Sequence, residues 1–263
     1  MTIQNLSTKV ARVISRPGQI VTTSRARLFP KDETAARIAG WKYGSLPRKP
    51  ITELFPEIRN IDVSIMRAYD RVLNSSMEAE EVVALCAIAK LVKAKKLIEI
   101  GTYDGNTTLN LAANTPEDAV ITTVDLPLDW QGELALATPD SAVNVSDRTR
   151  VGSQYQNTAY AHKISQVLAD SATLNWAGLP GPFDFAFIDG CHHYDYVKSD
   201  TDNVLRNLRS TAIVAWHDYG YIEDVSKVVD EAAKRIPVAA ILGTRIAVGF
   251  VGGSQPNSNS PSD

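Results

Sequence analysis

The sequence of 263 residues contains no apolar run close to the roughly 20 residues that span a bilayer, so no membrane-spanning helix is predicted. Its opening stretch, MTIQNLSTKVARVISRPGQ, lacks the continuous apolar segment of a secretory signal. There are only two cysteines, Cys86 and Cys191, and they lie far apart, which excludes a disulfide framework. Together these absences predict a cytoplasmic protein with reduced thiols.

Aromatic residues are also few, at 7%, and no nucleic-acid-binding motif is present, so no nucleic-acid partner is expected. The charge is uneven. The first fifty residues hold ten Lys or Arg and two acids, a net charge of +8, which leaves −11 for the rest against a total of −3. We interpret residues 1–60 as a basic, partly irregular extension over an acidic domain. Docking to an anionic partner is the alternative.

Strand-like and helix-like segments alternate from residue 61 to 251, while residues 252–263 form a low-complexity tail that we expect to be disordered. The expected strands are Leu97–Ile100, Val120–Asp125, Ile164–Asp170, Phe183–Asp189, Ala212–Asp218 and two final strands around a turn at Gly243 and Thr244. The expected helices are Lys31–Ala39, Ile61–Leu73, one that begins with a Ser75–Glu78 capping box, Thr107–Asn114, Gln154–Lys163, Asp195–Leu208 and Asp224–Arg235. This order predicts an α/β fold with a mostly parallel sheet.

In open parallel sheets, ligands bind beyond the carboxyl ends of the strands. The first strand ends in the pattern E-x-G-x-x-x-G, with Glu99, Gly101 and Gly105, and Tyr103 stands where the nicotinamide-type G-x-G-x-x-G needs a glycine. Asp125 follows Gly105 by twenty residues and could accept hydrogen bonds from ribose hydroxyls. A purely structural turn is the alternative, but the two features together favour an adenosine-type ligand.

The third strand ends in Asp170 and Ser171. A carboxylate and a hydroxyl at this position could hold an adenine amino group. They serve equally well as the N-cap of the segment that follows, and the residues alone slightly favour the cap.

Acids and histidines end the next two strands. Asp189 follows one strand, and His217 and Asp218 follow the next. Neighbouring strands lie about 4.8 Å apart, so these side chains could converge on a divalent cation such as Mg²⁺. Helix capping or direct ligand binding are the alternatives.

Two of the four histidines, His192 and His193, stand together after Asp189. Imidazole changes charge near neutral pH, so the histidine that faces the cleft could act as a general base. An exposed histidine without a role is the alternative. The clustering of three histidines at two strand ends favours function.

These motifs carry a resemblance. Residues 79–250 resemble a class I S-adenosylmethionine-dependent methyltransferase, closest to the small bacterial O-methyltransferase-like group with macrocin-type and cephalosporin-hydroxylase-type enzymes. The matching segments are LIEIGTYDGNTTL, TTVDLP, VLADS, FIDGCHHYDYVKSD, IVAWHDYG and LGTRIAV. The resemblance implies a Rossmann-like, doubly wound sheet of seven strands with the last one antiparallel.

The resemblance also implies roles for individual residues. Gly101, Tyr103 and Gly105 would line the methionine and ribose part of the cofactor, with Glu99 in the same turn. Asp125 would bind the ribose, and Asp170 with Ser171 the adenine. Asp189, His217 and Asp218 would be the metal ligands, although His217 departs from the acid or amide of metal-dependent relatives. His192 matches the base of sugar-modifying relatives, with Asp189 beside it in the catalytic set.

The resulting prediction is methyl transfer from S-adenosylmethionine to a hydroxyl of a small molecule or a sugar or glycan precursor, assisted by Mg²⁺ or another divalent metal. Two alternatives stay open: a non-catalytic cofactor-binding or interaction protein on this fold, and a hydroxylase-type relative. The expected partners are the acceptor and, in a homo-oligomer, further copies of the chain.

Overall fold

A computed structural model describes residues 42–67, 77–127, 130, 133–138 and 151–252. Several expectations lie outside these residues: the helix Lys31–Ala39, most of the basic extension, Ser75 of the expected capping box and nearly all of the C-terminal tail. In the described part, no helix is long and apolar enough to cross a membrane.

Eight strands form one sheet in the order β1-β7-β8-β6-β5-β2-β3-β4. The strands are β1 Arg48–Lys49, β2 Lys96–Ile100, β3 Val120–Asp125, β4 Ile164–Leu168, β5 Phe183–Ile188, β6 Leu208–Trp216, β7 Val238–Ile241 and β8 Ala247–Val251. Only β8 runs antiparallel to its neighbours, β6 and β7. The predicted α/β sheet with an antiparallel last strand is therefore confirmed.

The sheet has one strand more than the seven expected. Strand β1 comes from the segment that we interpreted as an extension, and it adds to the edge of the sheet beside β7. Pro47 and Pro50 flank its two residues and lack the N–H groups that a longer ladder would need.

Helices cover both faces of the sheet. They are α1 Ile51–Leu54, α2 Ala79–Leu91, α3 Asn106–Ala113, α4 Tyr194–Asn207 and α5 Glu223–Ala232, with 3₁₀ turns at Pro56–Asn60, Ala161–Lys163, Ser171–Thr173 and Trp176–Gly178. The buried side chains of α2 and α3 pack in one apolar cluster, and those of α4 and α5 pack in a second. This is the layered arrangement that a parallel sheet requires.

The predicted helix over Ile61–Leu73 is wrong for its described part. Residues 61–67 are not helical, because two asparagines of the α3 region bind their backbone. Asn114 Oδ1 accepts the N–H of Ser64 at 2.9 Å, and Asn110 Oδ1 accepts the N–H of Met66 at 2.9 Å. Tertiary hydrogen bonds replace the helical ones here.

The predicted helix over Gln154–Lys163 is also wrong. The segment forms turns and the short 3₁₀ helix Ala161–Lys163. Asn157 adopts a left-handed φ of 60°, which a continuous α-helix does not allow. The start of α2 differs as well, because its capping box joins Glu78 to Glu81 rather than Ser75 to Glu78.

Candidate active site

The turn between β2 and α3 lies against the end of β5. Gly101 has a φ of 97°, and a Cβ there would lie 2.1 Å from the carbonyl oxygen of Asp189. Only glycine fits such a close approach of two backbones. The predicted cofactor turn therefore adjoins the predicted acid–histidine cluster.

Asp125, at the end of β3, holds this turn in shape. Its Oδ2 accepts the backbone N–H groups of Thr102 at 3.0 Å and Tyr103 at 2.8 Å, and its Oδ1 accepts the N–H of Leu126 at 2.7 Å. Tyr103 needs the support because its φ of 47° is uncommon for a residue with a side chain. Asp125 thus braces the turn, in addition to the predicted ribose contact.

A second loop packs on the same turn from the other side. The N–H of Gly152 donates to the carbonyl of Tyr103 at 2.8 Å, and that of Gln154 donates to Asp104 at 2.9 Å. A Cβ on Gly105 would lie 2.6 Å from the ring of Tyr155. Position 105 therefore has to be glycine because the ring of Tyr155 packs against it, whether or not a ligand also approaches the backbone there.

Glu99 does not line the cleft. It is buried, and its Oε2 accepts hydrogen bonds from Thr123 Oγ1 at 2.5 Å and from Thr108 Oγ1. Burial raises the pKa of Glu99 to about 8, against the opposing effect of the two hydroxyl donors. Glu99 supports the turn from beneath, on the α3 side of the sheet.

Asp170 acts as the N-cap of the 3₁₀ helix Ser171–Thr173, as the residues alone had favoured. Its Oδ1 accepts the N–H of Ala172 at 2.9 Å. Its Oδ2 accepts the N–H of Ala135 at 2.9 Å and the hydroxyl of Tyr196 at 2.8 Å. The carboxylate is buried among these donors, whereas Ser171 is half-buried.

The structure brings Asp189, His192 and Asp218 together. His192 Nε2 lies 3.3 Å from Asp218 Oδ2 and 3.7 Å from Asp189 Oδ1. One ligand atom from each residue falls within 4.8 Å of the others, a spacing and chemistry that fit one divalent cation. Although burial opposes it, the two carboxylates raise the pKa of His192. His193 has its Nδ1 buried without a partner among the described residues.

His217 has a different environment from the one expected. Its Nδ1 lies 3.1 Å from Asp189 Oδ1 and its Nε2 lies 3.0 Å from Glu81 Oε2. Carboxylates accept hydrogen bonds, so each ring nitrogen carries a proton. Burial alone would lower the pKa of His217, but the carboxylates raise it to about 10. Among the described residues, the acid and histidine side chains that lie close enough together to hold one cation are Asp189, His192 and Asp218, so the geometry groups His192 with the two carboxylates where His217 was predicted.

Arg245, in the turn between β7 and β8, contacts two of the acids. Its Nη1 donates to Asp218 Oδ1 at 2.8 Å, and its Nη2 donates to Glu81 Oε2 at 2.9 Å. Burial would raise the pKa of Glu81, but hydrogen bonds and charge from His217 and Arg245 lower it to about 2. His217 likewise holds the pKa of Asp189 below its ordinary value, against the effect of burial.

Comparisons with a family model and with solved structures show what this chain is similar to. Residues 98–219 match a family model described as a methyltransferase domain. The O-methyltransferase TomG of Streptomyces achromogenes, solved in complex with SAM, is similar at 18% identity and a TM-score of 0.52, over 79% of this chain and 92% of that one. The fold is that of a class I methyltransferase.

Two further structures share this methyltransferase fold. PaMTH1 of Podospora anserina, bound to SAH, matches at 15% identity and a TM-score of 0.51, over 84% of this chain and 95% of that one. The O-methyltransferase of Bacillus cereus, in complex with SAH, matches at 14% identity and a TM-score of 0.50, over 76% and 90%. No curated protein sequence matches the chain. The chain therefore contains a segment that matches a methyltransferase domain, and its fold is similar to that of these methyltransferases.

Glu81 and Arg245 lie outside the matched methyltransferase segment, and the sequence reasoning missed both. Glu81 had a usable signal: it lies on the face of α2 that buries Leu85 and Ile88, where a carboxylate needs partners. Arg245 had none, because it follows a turn in an otherwise apolar hairpin.

Proposed function

We propose that the protein uses S-adenosylmethionine to methylate a hydroxyl of a small molecule or of a sugar or glycan precursor. Within the class, its FIDG-x-H segment supports the small bacterial group of macrocin-type and cephalosporin-hydroxylase-type proteins. The observation that carries the proposal is the contact between Gly101 and Asp189. The turn between β2 and α3 thus lies beside a histidine and two carboxylates, which supports a site where an acceptor hydroxyl meets the methyl group of a cofactor bound at the turn.

His192 is the proposed base. Its Nε2 faces Asp218 Oδ2, so the carboxylate favours the tautomer with the proton on Nε2. The other ring nitrogen, Nδ1, is then able to accept the proton of the acceptor hydroxyl. The side chain of His192 is 45% exposed, so an acceptor entering from solvent can reach it.

Asp189 and Asp218 are the proposed holders of a divalent cation such as Mg²⁺. When bound, the cation would lower the pKa of the acceptor hydroxyl. The carboxylates lie beside His192 Nε2 and orient its ring.

The first test measures S-adenosylmethionine and S-adenosylhomocysteine binding by calorimetry, and then methyl transfer to a panel of hydroxylated compounds and sugars. We expect His192→Gln to lower kcat by about 10²- to 10⁴-fold, the usual contribution of a general base. The affinity of the His192→Gln variant for S-adenosylhomocysteine should equal that of the wild type. His193→Gln, at the neighbouring position, is the matched control and should keep the wild-type rate.

Cofactor binding without transfer to any hydroxyl would favour the non-catalytic alternative. A His192→Gln variant as active as the wild type would refute the base assignment. The metal role is tested with a chelator and with Asp189→Ala and Asp218→Ala. Full activity in all three experiments would exclude a metal-assisted reaction.

A further inference from the structure

The carboxylate of Glu81 lies at the centre of the candidate site's charge network, although it belongs to a helix and not to a strand end. It is only 2% exposed. It accepts the N–H of Glu78 at 2.8 Å, His217 Nε2 at 3.0 Å, and three donors of Arg245: the backbone N–H at 2.8 Å, Nε at 3.1 Å and Nη2 at 2.9 Å. These five hydrogen bonds are more than the capping of α2 requires, since the cap accounts only for the bond from the N–H of Glu78.

Both side chains that contact Glu81, His217 and Arg245, also contact a strand-end carboxylate. His217 donates from Nδ1 to Asp189 Oδ1 at 3.1 Å, and Arg245 donates from Nη1 to Asp218 Oδ1 at 2.8 Å. Glu81 therefore accepts hydrogen bonds from both His217, which leads to Asp189, and Arg245, which leads to Asp218. His192 lies at the opposite side of the network, between the same two carboxylates.

The two strand-end carboxylates need such support. Their ligand atoms lie within 4.8 Å of each other, so the like charges repel at short range. Asp218 also has a left-handed φ of 54°, a strained conformation for an aspartate. The N–H of Tyr219 donates to the carbonyl of Arg245 at 2.9 Å, which ties the backbone after Asp218 to the same hairpin.

We propose that Glu81 is a positioning residue of the active site, which holds Asp189 through His217 and Asp218 through Arg245. Its donors among the described residues are Glu78, His217 and Arg245, so we expect it to act through these side chains and not by contact with the acceptor. Removing Glu81 takes away the hydrogen-bond acceptor that the buried His217 and the half-buried Arg245 share, and so frees both side chains to move with the strand-end carboxylates. The consequence is a loss of geometry at the reacting centre and not of cofactor binding. The inference rests on the methyl-transfer function proposed above.

The variants are chosen to distinguish a role of Glu81 in positioning Asp189 and Asp218 from the effect of its charge and from an effect on the stability of the fold. Glu81→Gln removes the charge at constant size, and Glu81→Asp keeps the charge with a shorter side chain. Arg245→Lys keeps a cation but loses the fork that contacts Glu81 and Asp218 together. Glu80→Gln is the matched control, because it removes one exposed negative charge from the same helical turn.

The measurements are kcat and KM with the best hydroxyl acceptor from the panel, and the calorimetric Kd for S-adenosylhomocysteine. We expect Glu81→Gln and Arg245→Lys to lower kcat on the order of 10²-fold, the effect of a small misplacement at a reacting centre. Glu81→Asp should recover part of the rate. KM, the Kd for S-adenosylhomocysteine and the Glu80→Gln enzyme should remain near wild type.

Wild-type kcat in Glu81→Gln or in Arg245→Lys overturns the proposal, as does a parallel loss of kcat and of S-adenosylhomocysteine affinity, which indicates a general structural role. If the wild type methylates no acceptor, the proposed function fails and crystal structures decide the positioning. Asp189 and Asp218 must then occupy altered positions in Glu81→Gln but not in Glu80→Gln. Unchanged positions of Asp189 and Asp218 in Glu81→Gln would refute the positioning role of Glu81.

Discussion

Glu99 is a buried acid whose neutral form the fold favours, so replacing it with glutamine should stabilise the protein in a pH-dependent way. The side chain is 1% exposed, and its Oε1 has no partner among the described residues. Burial raises its pKa from the ordinary 4.5 to about 8. The glutamine of the Glu99→Gln variant has the shape and the neutral charge of the protonated acid, and can accept the same hydroxyls of Thr108 and Thr123.

The direction of the effect follows from proton binding. Below about pH 4.5 both the folded and the unfolded chain hold the proton, so the two proteins should have similar free energies of unfolding. As the pH rises towards 8, the unfolded chain of the wild type ionises while the folded one stays neutral, and stability is lost. One pKa unit is worth about 1.36 kcal/mol, so the rise from 4.5 to about 8 corresponds to at most about 5 kcal/mol.

The assay is urea denaturation of the cofactor-free proteins from pH 4 to 8.5. The advantage of Glu99→Gln should grow through this window and reach a few kcal/mol, or roughly 5 to 15 °C in Tm. Glu57→Gln, on the exposed surface, controls for the loss of one negative charge. An advantage that does not change with pH, or a variant less stable than the wild type at pH 8, would refute the reasoning.

Two further predictions concern segments that attach to the domain. Tyr219→Phe removes the hydroxyl that accepts the N–H of Leu46 at 2.8 Å and donates to Asp230 at 2.7 Å. It should lower the free energy of unfolding by about 1–3 kcal/mol, measured in urea, and a neutral result would contradict the role of this anchor. Asn114→Ala removes the amide that binds both the N–H and the carbonyl of Ser64. Hydrogen exchange at Ser64 should then accelerate while that of β2 stays protected, and equal protection in both proteins would show that the amide is dispensable.

The order of elements was predictable because each buried strand has a strong apolar signal. Val120–Asp125 has the predicted limits, and the start of Phe183–Ile188 was also placed correctly. The wrong helices, over residues 61–67 and 154–163, are segments whose backbone groups bind distant partners, such as Asn114 and the carbonyl of Asp104. Local patterns contain no information about such partners.

For the site, the sequence itself determined which side chains end the strands, since a parallel sheet brings Asp125, Asp189 and Asp218 to one edge whatever the details of packing. Only the tertiary structure decided what each one contacts. In the folded chain, Glu99 is buried against Thr123, and His217 lies between the carboxylates of Asp189 and Glu81. Glu81 and Arg245 reach the site from a helix and a hairpin that are distant in sequence. The physical reason is that the alternation of side chains along a strand sets the face of the sheet on which each one lies. A buried charged side chain, by contrast, needs hydrogen-bonding partners, and these can come from any part of the chain.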